Sequence, residues 1–370
     1  MSSPRRDVHL AALDGLRAIS ITLVLLTHLA PLGPKALRLN EMTGPMGMSL
    51  FFALSGFLIV RTLRTDSVPA FVVKRLARIV PLAWLYLAVV ALFFGLNGGA
   101  LLASLSFILN YRTDLMIPIT EHFWSLGVEI QFYAFVAVLA LCGRNALALV
   151  LPCCVLITVL RVLDGATIDI ATHLRGDEIL AGACVGYLAV DERGGKLLSP
   201  ALWVVVAAFW AITSHPASGW LQYLRPYMSM ALLATTLQLR PGALLAALAS
   251  APLRYIADIS YALYVVHPLT AQHGWWNEGS IWQRYLLKRP LGLVLTVASA
   301  HLATFYWERP WNGAARRWIS RWRPRTVDTV FVRAEPSHSP SEGAAALQGS
   351  SASASANLVA ASVQETAEGR

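Results

Sequence analysis

"LDGLRAISITLVLLTHLA", residues 13–30, is long and apolar enough to cross a bilayer, yet it carries Arg17 near its start and His28 near its end. A hydrocarbon core about 30 Å thick takes about 20 residues of helix. Ionisable groups inside such a span are costly and face a protein interior or a water-filled cavity. At about 100° per residue, the 11-residue spacing of Arg17 and His28 returns to within roughly 20° of one face, with a rise of ~16 Å. Read singly, Arg17 fits a side chain snorkelling to the membrane surface and His28 a polar helix end. Read together, they line one stripe of one helix at two depths.

The rest of the chain has the same texture. Its 370 residues are 56% hydrophobic and 14% charged, with mean hydropathy +0.55. That excludes an ordinary soluble domain. Apolar stretches of about 15–20 residues recur, without the alternating ten-residue segments of a membrane barrel. The expectation is an all-α, polytopic integral membrane bundle of about ten transmembrane helices. The stretches lie near 12–31, 46–64, 79–95, 125–142, 146–163, 178–191, 198–214, 226–240, 255–272 and 290–308. "ALLASLSFILN" at 100–110 is short for a span.

With ten spans, Arg5, Arg6, the cations of 61–78, Arg144, "DERGGK" at 191–196, Arg240 and the cluster at 316–325 share one side. The positive-inside rule makes that side, and both termini, cytoplasmic. Lys288 and Arg289 are the exception. The net charge of +9 therefore reads as topology and attraction to lipid headgroups, not nucleic-acid binding. Cys142, Cys153, Cys154 and Cys184 lie in or beside apolar segments without metal-ligand spacing, so they read as small buried hydrophobes, and no metal is expected. The first span lacks a small-residue cleavage site and reads as a retained helix. The expected organisation is a cytoplasmic N-terminus (1–11), a membrane domain (12–310), a basic cytoplasmic segment (311–325) and a disordered Ser/Ala/Gly-rich tail (326–370).

Three further stretches carry candidate chemistry. "SLFFALSGFLIVRTLRTDS" (49–67) places Arg61 and Arg64 three apart, hence on one helix face. "FVVKRLARIVPLAW" (71–84) adds Lys74, Arg75 and Arg78, with Pro81 near the start of the third span. These cations read either as topology determinants or as a phosphate-binding patch, since guanidinium groups bind phosphate bidentately. "EHFWSLGVEIQFYAF" (121–135) sets Glu129 one to two turns inside the fourth span, at a depth similar to His28. A carboxylate beside an imidazole orients it and raises its basicity.

Together these motifs resemble the membrane-bound acyltransferase-3 family, the O-acetyltransferases of bacterial surface sugars and some antibiotics. The resemblance rests on "LDGLRAISITLVLLTH" (13–28), "SLFFALSGFLI" (49–59) followed by Arg61 and Arg64, "KRLARIVPLAW" (74–84), "FWSLGVEIQFY" (123–133), "RGDEILAGACVGYL" (175–188) and "ISYALYVVHPL" (259–269). It implies an acyl-coenzyme A donor, usually acetyl-CoA, and no permanently bound cofactor. The family's Arg-x10-His motif matches Arg17 and His28, its paired arginines Arg61 and Arg64, and its Trp-Ser-Leu-x-x-Glu motif Trp124 to Glu129. Ile130 stands where relatives often have a second acid. The extra C-terminal esterase-like domain of many relatives has no counterpart in the tail, so the acceptor is expected to be acylated by the membrane domain itself.

The resulting expectation is a bacterial inner-membrane O-acyltransferase whose partners are acyl-CoA, a saccharide acceptor and membrane lipids. Arg17, Arg61, Arg64, Arg75 and Arg78 would hold the donor, and His28, supported by Glu129, would act as general base. Trp124, Arg175, Asp177, Tyr264 and His267 would line the acceptor site, although His267 equally fits a helix end before Pro268, and Arg175 with Asp177 a structural pair. Direct transfer is favoured over an acyl-enzyme, since Ser55 reads as a helix-packing residue. Two rivals stand beside this: acylation of a cytosolic glycosylated small molecule, and a secondary transporter, which would show repeats and broken spans in matching positions.

Overall fold

The structure, a computed structural model, describes residues 4–188, 198–271 and 278–321. The 191–196 charges and the 326–370 tail lie outside the described residues. Within them the chain is helical, apart from turns and one parallel bridge between Leu198 and Leu239. The helices are α1 (Pro4–Leu29), α2 (Leu39–Leu63), α3 (Val68–Phe94), α4 (Gly98–Leu105), α5 (Phe123–Leu141), α6 (Val150–Asp164) and α7 (Thr172–Leu188). There follow α8 (Pro200–Ser214), α9 (Arg225–Thr236), α10 (Ala243–Leu248), α11 (Ala251–Asp258), α12 (Ser260–Ala271), α13 (Arg289–Leu302) and α14 (Arg309–Ser320).

Among the described residues, six helices are long and apolar enough to cross a membrane, or up to eight if each of two bent pairs is one span. In the first pair, α8 and the run Pro216–Thr236 meet at 118°, which folds the chain back on itself. In the second, the run Ala243–Asp258 meets α12 at 53°. α7 is short, at 17 residues, and carries Arg175, Asp177 and Glu178 in its first turns, yet it is buried from Arg175 to Gly186. It is a central helix, solvated by its neighbours rather than by lipid. The doubtful stretch at 100–110 holds α4, eight residues long, which at about 1.5 Å per residue is far too short to cross.

α2 packs against both α1 and α7. The α2–α7 contact is close because it has little side chain in it. A Cβ built on Gly182 would lie 1.7 Å from the Ala53 carbonyl oxygen, and one on Gly56 would lie 1.9 Å from that of Ile179. Small residues permit such approach where no hydrophobic effect drives helices together.

Two helix starts differ from the hydropathy reading. α2 begins at Leu39 rather than near 46, and α3 at Val68 rather than near 79. Pro69 opens α3, where a missing N–H costs nothing. Lys74, Arg75 and Arg78 are therefore on helix, not in a loop, and Pro81 lies inside α3 instead of at its start. Pro81 has no N–H to give the Ala77 carbonyl, and side chains of later elements bond α3 at two other carbonyls around this point. The Trp307 indole donates to the Pro81 carbonyl at 3.0 Å and the Tyr261 hydroxyl to that of Ile79 at 2.6 Å.

Candidate active site

α1 runs unbroken past Arg17 and His28, and each opens into a different chamber. His28 lines a cavity of about 230 Å3 together with His122, His267, Trp124, Arg175 and Tyr264. The His28 and His267 rings are 5.2 Å apart between centroids, and those of His122 and His267 are 5.5 Å apart. α12 is latched to the start of α5 here: the Tyr264 hydroxyl donates to the His122 carbonyl at 2.8 Å and shares a 2.6 Å hydrogen bond with Ser125. His267 Nδ1 lies 2.7 Å from the Tyr264 carbonyl oxygen. A carbonyl only accepts, so Nδ1 carries the proton and Nε2 keeps the lone pair. His267 is buried, whereas His28 is exposed. An exposed imidazole beside buried ones can reach a molecule that enters.

Arg17, at the other end of the stripe, lines a chamber of about 920 Å3 with Arg61, Arg64, Lys74 and Arg254. Asp14 and Asp66 are its carboxylates, so five cations face two anions. Asp14 is 3.6 Å from Arg17, and Asp66 accepts from Lys74 at 2.7 Å. Arg61 and Arg64 do share a face, as their spacing predicts. Arg75 is not part of the lining: it donates to the Thr62 hydroxyl at 3.0 Å and lies over the Phe71 and Tyr133 rings. Arg78 does not line the chamber either, although its charge acts on Arg17. The two chambers are about 16 Å apart along α1, by helix rise.

The structure does not bring Glu129 to His28. Its Oε1 accepts from the Ser55 and Tyr133 hydroxyls, each at 2.5 Å, and it is absent from the cavity wall. The cavity takes Glu121, His122 and Trp124 from around the start of α5, whereas Glu129 lies more than a turn further along that helix and faces Ser55 of α2. Ser55 is thus a donor to a carboxylate rather than a plain packing residue, and it lines neither chamber. Asp177 is likewise outside the cavity. Arg161 and the Thr158 hydroxyl hold its carboxylate, the latter at 3.0 Å. Arg175 pairs with Glu178 instead, at 3.0 Å.

His122, Glu121 and Asp169 of the smaller cavity, and Arg254 of the larger chamber, escaped the sequence reading. Glu121 and His122 open the 121–135 stretch that holds Trp124 and Glu129, so position beside Trp124 was the available signal. Arg254 sits on α11, far in sequence from the other cations, and nothing local marks it.

The fold and the two chambers define a multi-pass membrane protein with a cationic site and a histidine-rich site joined by one helix. Comparison with known proteins then supplies the family. Residues 10–305 match the acyltransferase domain family model Acyl_transf_3, and the chain belongs to that family of acyltransferase enzymes. The peptidoglycan O-acetyltransferase OatA of Listeria monocytogenes is 25% identical over 314 residues, covering 70% of this chain and 49% of the relative. Two Staphylococcus aureus proteins, provisionally named as O-acetyltransferases, are each 22% identical over 88% of this chain and about 60% of their own length. The chain thus spans about half to three-fifths of these relatives. No solved structure matches it.

Proposed function

We propose that the chain is a membrane-embedded O-acyltransferase that moves an acetyl or similar acyl group from acyl-CoA to a hydroxyl of a cell-surface, lipid-linked or exported saccharide. One observation carries this: a single helix presents Arg17 to a chamber of five cations and His28 to a histidine cavity. The first chamber suits the phosphates of coenzyme A at the cytoplasmic face, through Arg61, Arg64, Lys74 and Arg254. The ~16 Å rise between the two stations is of the order of an extended pantetheine arm.

His28, on its lone-pair nitrogen, takes the proton of the acceptor hydroxyl as that oxygen attacks the thioester carbonyl carbon. The C–O bond forms, the C–S bond breaks, and the imidazolium returns its proton to the departing thiolate. His267 is the orienting neighbour in this scheme. The role expected of Glu129 passes to it, since the Glu129 carboxylate is engaged by Ser55 and Tyr133. Arg75 and Arg78 shape the field around Arg17 rather than hold the donor. Proton transfer within one acceptor–His28 pair needs no acyl-enzyme, and Ser55, which lines neither chamber and donates to Glu129, is no candidate nucleophile.

The test is His28→Ala in membranes supplied with labelled acetyl-CoA. A positioned base contributes roughly 10²–10⁴-fold, so transfer to glycan should fall by that factor at unchanged protein level. Wild-type activity in this variant would end the proposal. Acylation of a cytosolic small molecule is the second reading, distinguished by whether the label appears on envelope or on soluble glycosides.

A further inference from the structure

Behind the histidine cavity lies a buried charge cluster that the transfer chemistry does not use. Arg161, Asp177, Glu178 and Arg225 are each 0% exposed, and Arg175 is 2% exposed. The two carboxylates have their own arginines. Asp177 is held by Arg161, and Glu178 accepts from Arg225 Nε at 2.8 Å. Arg175 shares Glu178 with Arg225 and has no carboxylate to itself. Three buried guanidinium groups against two carboxylates leave one positive charge in excess. Among the described residues, Arg175 Nη1 finds no hydrogen-bond partner, and its contact with Glu178 lacks hydrogen-bond geometry at Nε.

Of the three arginines, Arg175 alone lines the histidine cavity. Its guanidinium lies 5.4 Å from the centroid of the Trp124 ring, a contact that offsets part of its desolvation and fixes the plane of its fork. A buried cation with orphaned donors is expensive unless an anion completes it. The cavity's own acids do not do so. Asp169 Oδ1 accepts from the backbone amides of Ile170 and Ala171 at 2.7 and 2.6 Å, and Glu121 is exposed at the rim.

We infer that the acceptor bears an anionic group and that Arg175 reads it. This rests on the reading of the His28 cavity as the acceptor site. The shared chemistry is an oxyanion that fits a guanidinium fork. It would come from the carboxylate of an acidic sugar or from the phosphate that links a sugar to its carrier. Arg175 then sets specificity: it places the substrate so that a hydroxyl elsewhere on the sugar meets His28.

The experiment uses the full chain in nanodiscs and measures binding of methyl glucuronide, glucose 1-phosphate and the neutral methyl glucoside. At least one anionic probe should bind about tenfold or more tightly than the glucoside, as expected of a charged hydrogen-bonded pair. A preference for glucuronide marks the acidic-sugar source, and one for glucose 1-phosphate the phosphate-linked source. Arg175→Gln should remove the preference, and Arg175→Lys, which keeps the charge without the fork, should retain part of it. Equal binding of all three probes by the wild type, no binding of either anionic probe, or a preference that survives Arg175→Gln would each overturn the inference. So would a variant that loses turnover on charged and neutral acceptors alike with binding unchanged, because Arg175 would then serve the transition state. Labelled acetyl transfer to glycan, followed in the same preparation, separates the two failures: intact His28-dependent transfer without anion preference sinks this inference and leaves the proposed function standing.

Discussion

His28 and Arg17 are ordinary residues made informative by where they sit. Neither a base nor a guanidinium is tolerated in an apolar span without a polar surrounding, and each has one: a three-histidine cavity for His28, a cation-rich chamber for Arg17. The same logic separates Arg61 and Arg64 from Arg75. The first two line the cationic chamber, while Arg75 donates to Thr62 and lies over two aromatic rings. Arg61→Ala combined with Arg64→Ala should therefore raise the KM for acetyl-CoA by about tenfold or more, since charged hydrogen bonds are worth about 1.5–3 kcal/mol. kcat should change little, because these groups would hold the donor equally in ground and transition states. An unchanged KM would return both arginines to topology alone.

Helices position these residues, and two devices in them matter most. The first is the close, glycine-mediated contact of α2 with α7. It draws α7 into the centre and so brings Arg175, at its first turn, to the cavity wall. A methyl group on Gly182 would overlap the Ala53 carbonyl at 1.7 Å, backbone that cannot swing aside. Gly182→Ala should destabilise the protein by about 1–3 kcal/mol, the usual range for overpacking, seen as a lower midpoint in detergent melting. Equal melting of variant and wild type would mean that the helices stand further apart. The second device is the break at Ile259, between α11 and α12. It lets one chain segment serve both sites: Arg254 on α11 faces the larger chamber, while Tyr264 and His267 on α12 face the smaller one.

Taken as a whole, the molecule sets two polar sites toward opposite ends of a helical bundle, and the proposed reaction needs them on opposite sides of the membrane. Thr65 lies beside the cationic chamber and Glu121 at the rim of the histidine cavity, both exposed. In a background with the four native cysteines replaced, Glu121→Cys should react with an impermeant maleimide added to intact spheroplasts. Thr65→Cys should react only after permeabilisation. The reverse pattern would invert the topology and place the acceptor in the cytosol.

Much of this was legible before any coordinates. Hydropathy placed ten stretches that all overlap helices, because lipid demands internally bonded, apolar segments whatever their neighbours. The candidate spans among the described residues nevertheless number six to eight: 178–191 falls on the short α7, and 198–214 and 226–240 fall on one bent pair. The shared face of Arg17 and His28 followed from the α-helical period alone. What sequence could not decide was which helix each side chain turns toward. Glu129 was expected at the depth of His28, but the cavity is met by the start of α5, and further along that helix the Glu129 carboxylate goes to Ser55 and Tyr133. His267, 239 positions beyond His28 in the chain, takes that neighbouring place through the packing of α12 on α1. Local periodicity sets depth and face within one helix; contacts between helices distant in sequence set partners, and only the tertiary fold holds that information.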